Sequence, residues 1–133
     1  MDDDAVRQRL SQLDTPAISD PIPAASRIDN IVYSGGVAGQ ARDGSGVPDS
    51  IEDQTVNMFS NMAAIVEAAG GSVGDIVRVT VFARDRDEVG EALNTSWLQM
   101  FPDEHDRPAR HLTIADIHPA LRIQCEFVAV LAT

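Results

Sequence analysis

Residues Ser50 to Ala69 carry the most regular apolar pattern in the chain. Val56, Phe59, Ala63, Val66 and Ala69, reinforced by Met62, recur at the 3.6-residue period of a helix that buries one stripe. Gly70-Gly71 follows at the place where helices prefer to end. Glu88 to Phe101 repeats the pattern as a second amphipathic helix, stopped by Pro102. Elsewhere the period changes to two. In Asp75 to Ala83, rich in β-branched residues, Val77, Val79 and Val81 are expected on one side of a strand, and Arg78 and Thr80 on the other. In Leu121 to Leu131, Leu121, Ile123, Cys125, Phe127 and Ala129 make an apolar row suited to packing under helices. Arg122, Gln124, Glu126, Val128 and Val130 make the opposite row. Ile28 to Ser34, Val37 to Ala41 and Arg110 to Ile117 complete the expected strands, with Asp43-Gly44-Ser45-Gly46 as turn chemistry. Upstream, Val6, Leu10 and Leu13 predict a short helix over Asp4 to Leu13. Pro16, Pro21 and Pro23 make Thr15 to Pro23 an extended connector.

The order is β-β-α-β-α-β-β after a helical leader, which predicts an α+β fold. One mixed sheet should carry both helices on one face. Residues 1–20 are expected to form the leader and connector, and 21–133 a single domain. The last strand's second row is half apolar, too apolar to face open water. Sheet-to-sheet packing between subunits follows from it.

Charge narrows the partners. The chain has 21 acidic and 10 basic residues, a net charge of −11, and all the basic residues are arginine. Such a surface repels polyanions, so neither nucleic acid nor an anionic membrane is an expected partner. An anionic substrate needs a local positive centre. No apolar run approaches the ~18 residues of a membrane span. The acidic start, Met1-Asp2-Asp3-Asp4, is unlike a signal or transit peptide. The lone Cys125 has no disulfide partner within the chain. A cytoplasmic protein is the expectation.

Pro108-Ala109-Arg110 opens the Arg110 to Ile117 strand and places an arginine near the end of the sheet. Its planar fork suits a carboxylate, or an ordinary surface salt bridge. Glu126 sits in an apolar strand, as an acid–base group or as a structural partner of Arg122 or Arg110, within reach on a neighbouring strand. Ser34-Gly35-Gly36 follows a strand, where glycines let a ligand approach the backbone or simply form a turn. His105, His111 and His118 match no zinc spacing, no metal or cofactor is expected, and Cys125 falls on the core-facing row as a buried thiol.

These residues resemble an ordered set in the RidA/YjgF family. The set comprises Ile31-Val32-Tyr33-Ser34-Gly35-Gly36, Gln54-Thr55 with Asn61, Ile65-Val66-Glu67-Ala68-Ala69-Gly70, and Ser72 through Phe82. Asn94 with Trp97 and Phe101, Pro108-Ala109-Arg110 and Ile123-Gln124-Cys125-Glu126 complete it. The resemblance runs from Pro21 to Ala129. It implies a chorismate-mutase-like fold and a homotrimer with three ligand clefts between subunits. It also implies hydrolytic deamination of reactive enamines and imines such as 2-aminoacrylate and 2-iminopropionate. In that reading Arg110 holds the substrate carboxylate and Glu126 positions or activates the attacking water. Ser34, Gly35 and Asn94 line the cleft, and Leu112 falls where many members have a cysteine whose backbone faces the imine. The chain departs from the deaminase pattern in three places. Pro21-Ile22 replaces a Pro-Tyr pair, Leu112 the cysteine, and Trp97 a common tyrosine. These departures keep two alternatives open: a pathway-specific deaminase of the 2-aminomuconate type, and a non-catalytic trimeric ligand-binding or protein-protecting module. The family is also linked to RNA cleavage, which the −11 charge disfavours.

Overall fold

A computed structural model describes residues 7–10 and 22–132. The strands are β1 (Arg7–Leu10), β2 (Ala25–Ile28), β3 (Ile31–Ser34), β4 (Ile76–Ala83), β5 (Ala109–Ile114) and β6 (Gln124–Val130). The helices are α1 (Ile51–Ala68) and α2 (Arg86–Met100), with one 3-10 turn at Val73–Asp75. They form one six-stranded sheet in the order β1-β2-β3-β6-β4-β5. Only β4 and β5 run parallel, joined across α2; the other neighbours are antiparallel.

Both helices begin on side-chain caps. Ser50 Oγ accepts from Asp53 N at 3.1 Å, and an Asp85 carboxylate oxygen accepts from Asp87 N at 3.0 Å. Beyond α1, Gly70 takes a left-handed φ of 99°, and Arg27 Nη1 donates to the terminal carbonyl of Ala69 at 2.6 Å. Met58, Phe59, Met62, Ile65 and Val66 of α1 and Val89, Leu93 and Trp97 of α2 share one core with Val32, Val79, Val81, Cys125, Phe127 and Ala129 of the sheet. The helices therefore cover one face, and among the described residues no element covers the other, the open face. Cys125 is fully buried, and desolvation, with the Glu126 charge second, pushes its thiol up to about 12.

Several expected details are corrected. Arg7–Leu10 is a strand paired with β2, not part of a helix; the remainder of Asp4 to Leu13, and the connector up to Pro21, lie outside the described residues. A short apolar–polar segment fits either period, and here an available sheet edge decides. Ile28 to Ser34 is not one strand, because Asp29-Asn30 turns the chain between β2 and β3, with Asp29 at φ 53°. Val37 to Ala41 makes only the isolated bridges Val37–Cys125 and Ala41–Gly46. Side chains of α1 take the carbonyls a neighbouring strand would need: Asn61 Nδ2 donates to Ala38 and Gln40, and Asn57 Nδ2 to Gly39. Val56 is exposed and Thr55 is buried in its stead, its hydroxyl satisfied by Ile51 O at 2.7 Å.

Val77 also faces outward, 46% exposed. The register of β4 on β6 passes from Ile76–Ala129 to Arg78–Val128, so one extra residue bulges out of β4.

Gln54 locks the start of α1 to the approach of β6. Its Nε2 donates to Pro48 O (2.8 Å) and Ala120 O (3.2 Å), and its Oε1 accepts from Arg122 N (2.8 Å). Gln54→Leu preserves volume but strands all three backbone groups near a side chain only 1% exposed. Urea unfolding should show a loss of about 1–3 kcal/mol; an unchanged midpoint would mean water replaces the amide at no cost.

Candidate active site

The open face of the sheet holds a groove of about 350 Å³ lined by Tyr33, Ser34, Arg78, Thr80, Glu126, Phe127 and Val128. Strand parity explains the lining. Glu126 lies opposite Thr80, and Arg78 opposite Val128, so these side chains share the face away from the helices. Tyr33, opposite Val128 on the other flank of β6, joins them at 61% exposure. Ser34 closes one end. Its hydroxyl donates to Gly35 O at 2.8 Å and accepts from Phe127 N at 2.8 Å, taking the place of a ladder bond where β3 leaves β6. Gly35 N donates to Ala24 O at 2.8 Å, so the turn after β3 is held against the segment before β2.

Glu126 is exposed and makes no ion pair among the described residues. The structural partners foreseen for it are engaged elsewhere. Arg122 pairs with Glu88 and donates through Nε to Asp49 O at 2.8 Å. Arg110 lies in register with Val79, which is itself opposite Phe127, and both of those face the helices. Arg110 and Glu126 are thus separated by β4 and stand on opposite faces of the sheet, not on adjoining strands within reach of each other.

Arg110 belongs to the sheet's edge strand. Its guanidinium carbon lies 4.9 Å from the centre of the Trp97 ring, a cation–π contact. Trp97 is fixed in turn against Phe101, with ring centres 4.8 Å apart and planes tilted by 60°. Partial burial lowers the Arg110 pKa, but an arginine stays charged at neutral pH. No carboxylate among the described residues pairs with it. The site therefore has an exposed guanidinium, stacked on Trp97 and without a carboxylate partner among the described residues, suited to a planar carboxylate. Asn94 is exposed on α2, one turn before Trp97. Leu112 points with Val81 toward the core, which leaves its backbone on the edge.

His111 shares the open face with Thr80, opposite in sense to Arg110. His118 Nδ1 accepts from Ala120 N at 3.0 Å, and His105 lies 3.4 Å from Glu104 on the surface. Tyr33, Arg78 and Thr80 line the groove without having been singled out as site residues. The signal for Thr80 and Tyr33 is plain alternation with buried Val79 and Val32.

A sequence profile described as Endoribonuclease L-PSP matches residues 14–131. A relative from Dermatophagoides farinae named 2-iminobutanoate/2-iminopropanoate deaminase is 30% identical over 124 residues, 90% of this chain and 94% of that protein. A protein of the same name from Escherichia coli K12 is 35% identical over 103 residues, covering 75% and 78%. Among solved structures, yeast Mmf1 superposes with a TM-score of 0.84 at 23% identity, over 96% of this chain and 100% of that one. Escherichia coli TdcF with bound serine superposes with a TM-score of 0.83 at 24% identity, over 94% and 100%. With the α+β sheet, the two helices and the ordered motifs all in place, the chain belongs to the Endoribonuclease L-PSP family, also known as the RidA/YjgF family.

Proposed function

We propose that this chain is a hydrolytic deaminase of 2-imino acids and their enamine tautomers, working as a homotrimer. The observation that carries the proposal is the pair of uncommitted charges. Arg110 waits over Trp97 at the sheet edge, and Glu126 stands in the groove, neither with an ion-pair partner among the described residues. One protomer keeps them on opposite faces. They share a substrate only if the β5 edge of one copy meets the open face of the next. That face already exposes Ile31, Tyr33, Val77 and Val130, apolar area that a neighbouring sheet would cover. The relatives named as 2-imino acid deaminases support the reaction class, and serine bound to TdcF supports a small carboxylate-bearing ligand. The surface charge of −11 favours such a molecule over RNA.

The chemistry needs orientation and one proton carrier. Arg110 grips the substrate carboxylate with two parallel hydrogen bonds. Glu126 accepts a proton from water as the water oxygen bonds to the carbon of the protonated imine, C=NH2+. The adduct carries a hydroxyl and an amino group on that carbon. Glu126 returns the proton to nitrogen, the C–N bond breaks, and the hydroxyl proton is lost as the 2-oxo acid forms. One water is consumed and one ammonia released. An enamine first takes a proton on carbon to become the same iminium ion. Ser34, Gly35, Asn94 and the Leu112 backbone line the cleft, and Trp97 holds the guanidinium in place.

Three measurements test this reading. Sedimentation should find a trimer of 14.3 kDa chains at micromolar concentration, and a stable monomer would break the shared site. Imines generated with an amino-acid oxidase and trapped by semicarbazide report turnover. Arg110→Ala should lower kcat/KM by about 10²-fold or more, and Arg110→Lys should not restore it, because a point charge lacks the fork. Glu126→Gln should lower kcat by about 10²–10⁴-fold with the melting temperature unchanged, since no ion pair is lost. Activity surviving both substitutions would remove these two residues from the reaction, and a wild type that turns over no imine would point to the ligand-binding module instead.

A further inference from the structure

Arg78 is left over by the reaction above. From Arg78–Val128 to Phe82–Gln124 the ladder is regular, so with Val79 and Val81 buried Arg78 stands on the open face. Beside it the bulge turns Val77 outward as well, while Ile76 returns to the core opposite Ala129. Bulges are common beside ligand sites. The side chain then lines the groove with Tyr33, Thr80 and Glu126.

Its bonding is incomplete. Arg78 Nε donates to Thr80 Oγ1 at a long 3.3 Å, and no carboxylate among the described residues pairs with its terminal nitrogens. Other arginines are used up structurally. Arg27 caps α1, Arg84 binds the carbonyls of Ile117, His118 and Leu121, Arg107 those of Phe101 and Pro102, and Arg122 holds Glu88. Nor is Arg78 paired with Glu126, although both face the same space. Across β4 and β6 they form a diagonal pair, and such positions lie roughly 7–8 Å apart. The groove thus has an unneutralised cation at one point and an unneutralised carboxylate at another.

We propose that Arg78 binds a second, distal carboxylate of the substrate, so that the preferred class is 2-imino dicarboxylic acids. The proposal rests on the deaminase reading, in which Glu126 faces the reacting carbon and Arg110 takes the carboxylate bonded directly to it. That first carboxylate is too close to the reacting carbon to reach across the diagonal. A second one, two or three carbons further along the side chain, spans it. The Tyr33 phenol and the Thr80 hydroxyl are neutral donors beside it, and the groove of about 350 Å³ admits a five-carbon diacid. The guanidinium then gains the charge-assisted bonds that the fold withholds from it.

The test compares two imines of equal chain length. One is made from glutamate with a glutamate oxidase, the other from norvaline with an amino-acid oxidase. The wild type should prefer the dicarboxylate in kcat/KM. Arg78→Met, nearly isosteric and on the surface, should lower the ratio of the two kcat/KM values by about 10–100-fold, the worth of one charged hydrogen-bonding contact. Arg78→Lys should recover part of it. Calorimetry with pentanedioate and pentanoate supplies a readout that needs no turnover: the wild type should bind the diacid more tightly, and Arg78→Met should erase the difference. A ratio and a binding preference that both ignore the substitution overturn the proposal. If the wild type hydrolyses no imine, the deaminase reading fails while the calorimetry still decides on Arg78.

Discussion

The antiparallel pairing of β4 with β6 is the constraint on which the molecule depends. These two strands occupy the interior of the sheet, and their inward residues, Val79, Val81, Cys125 and Phe127, are almost wholly buried. A side-chain period of two means that a one-residue slip would turn this row outward, so burial fixes the register. Once it is fixed, the faces of all neighbouring residues follow. Glu126 must face away from the helices because Cys125 and Phe127 face toward them. Arg110 must face toward the helices because β5 pairs in parallel with β4 at Val79. The separation of the two charges is a consequence of the core, not an independent feature of the site.

How much of this was legible in the sequence depended on whether the signal was local. Both helices were readable because period and stop residues sit close together in the sequence: Gly70 after α1 and Pro102 after α2. The two rows of the last strand were readable because its alternation is unbroken. Val77 was misplaced because Ile76 and Val77 are both β-branched and either can head an alternating strand. The bulge is decided by the partner strand, where Ala129 and Val128 receive three residues of β4. The turn at Asp29-Asn30 carried a local signal, two residues that tolerate left-handed backbone, yet its apolar flanks masked it as one strand. The leader was ambiguous for a different reason. A short amphipathic segment has no period of its own, and Arg7–Leu10 became a strand because β2 offered an edge.

The candidate site was half legible on the same grounds. Arg110 and Glu126 stood out by residue type and context, and the structure leaves both uncommitted. Their mutual position was not readable. Sequence gives the parity of a residue within its own strand, but strand order is a property of the whole sheet. Nothing local says that β4 lies between β5 and β6. Alternation with buried Val79 and Val81 already puts Arg78 outward; what alternation does not show is that Val77, expected beside those valines, turns outward next to it.

The arginines connect charge, fold and chemistry. A chain with 21 acids and 10 arginines could neutralise every guanidinium on its surface, and several are bound to carbonyls or carboxylates. Pairing a charge on the surface contributes little stability, so folding does not require it. Keeping one unpaired in an acidic protein takes geometry that excludes the surrounding carboxylates. Two devices supply it here. Trp97 occupies one face of Arg110, where an aromatic ring is a poor competitor for a substrate carboxylate approaching the edge of the guanidinium. Strand parity sets Arg78 on a face whose neighbours are Val128, Tyr33 and Thr80, joined by Val77 through the bulge, with Glu126 held off along the diagonal. In both cases an uncharged side chain fills the place where a structural partner would otherwise sit, and that is what leaves the cation to a ligand.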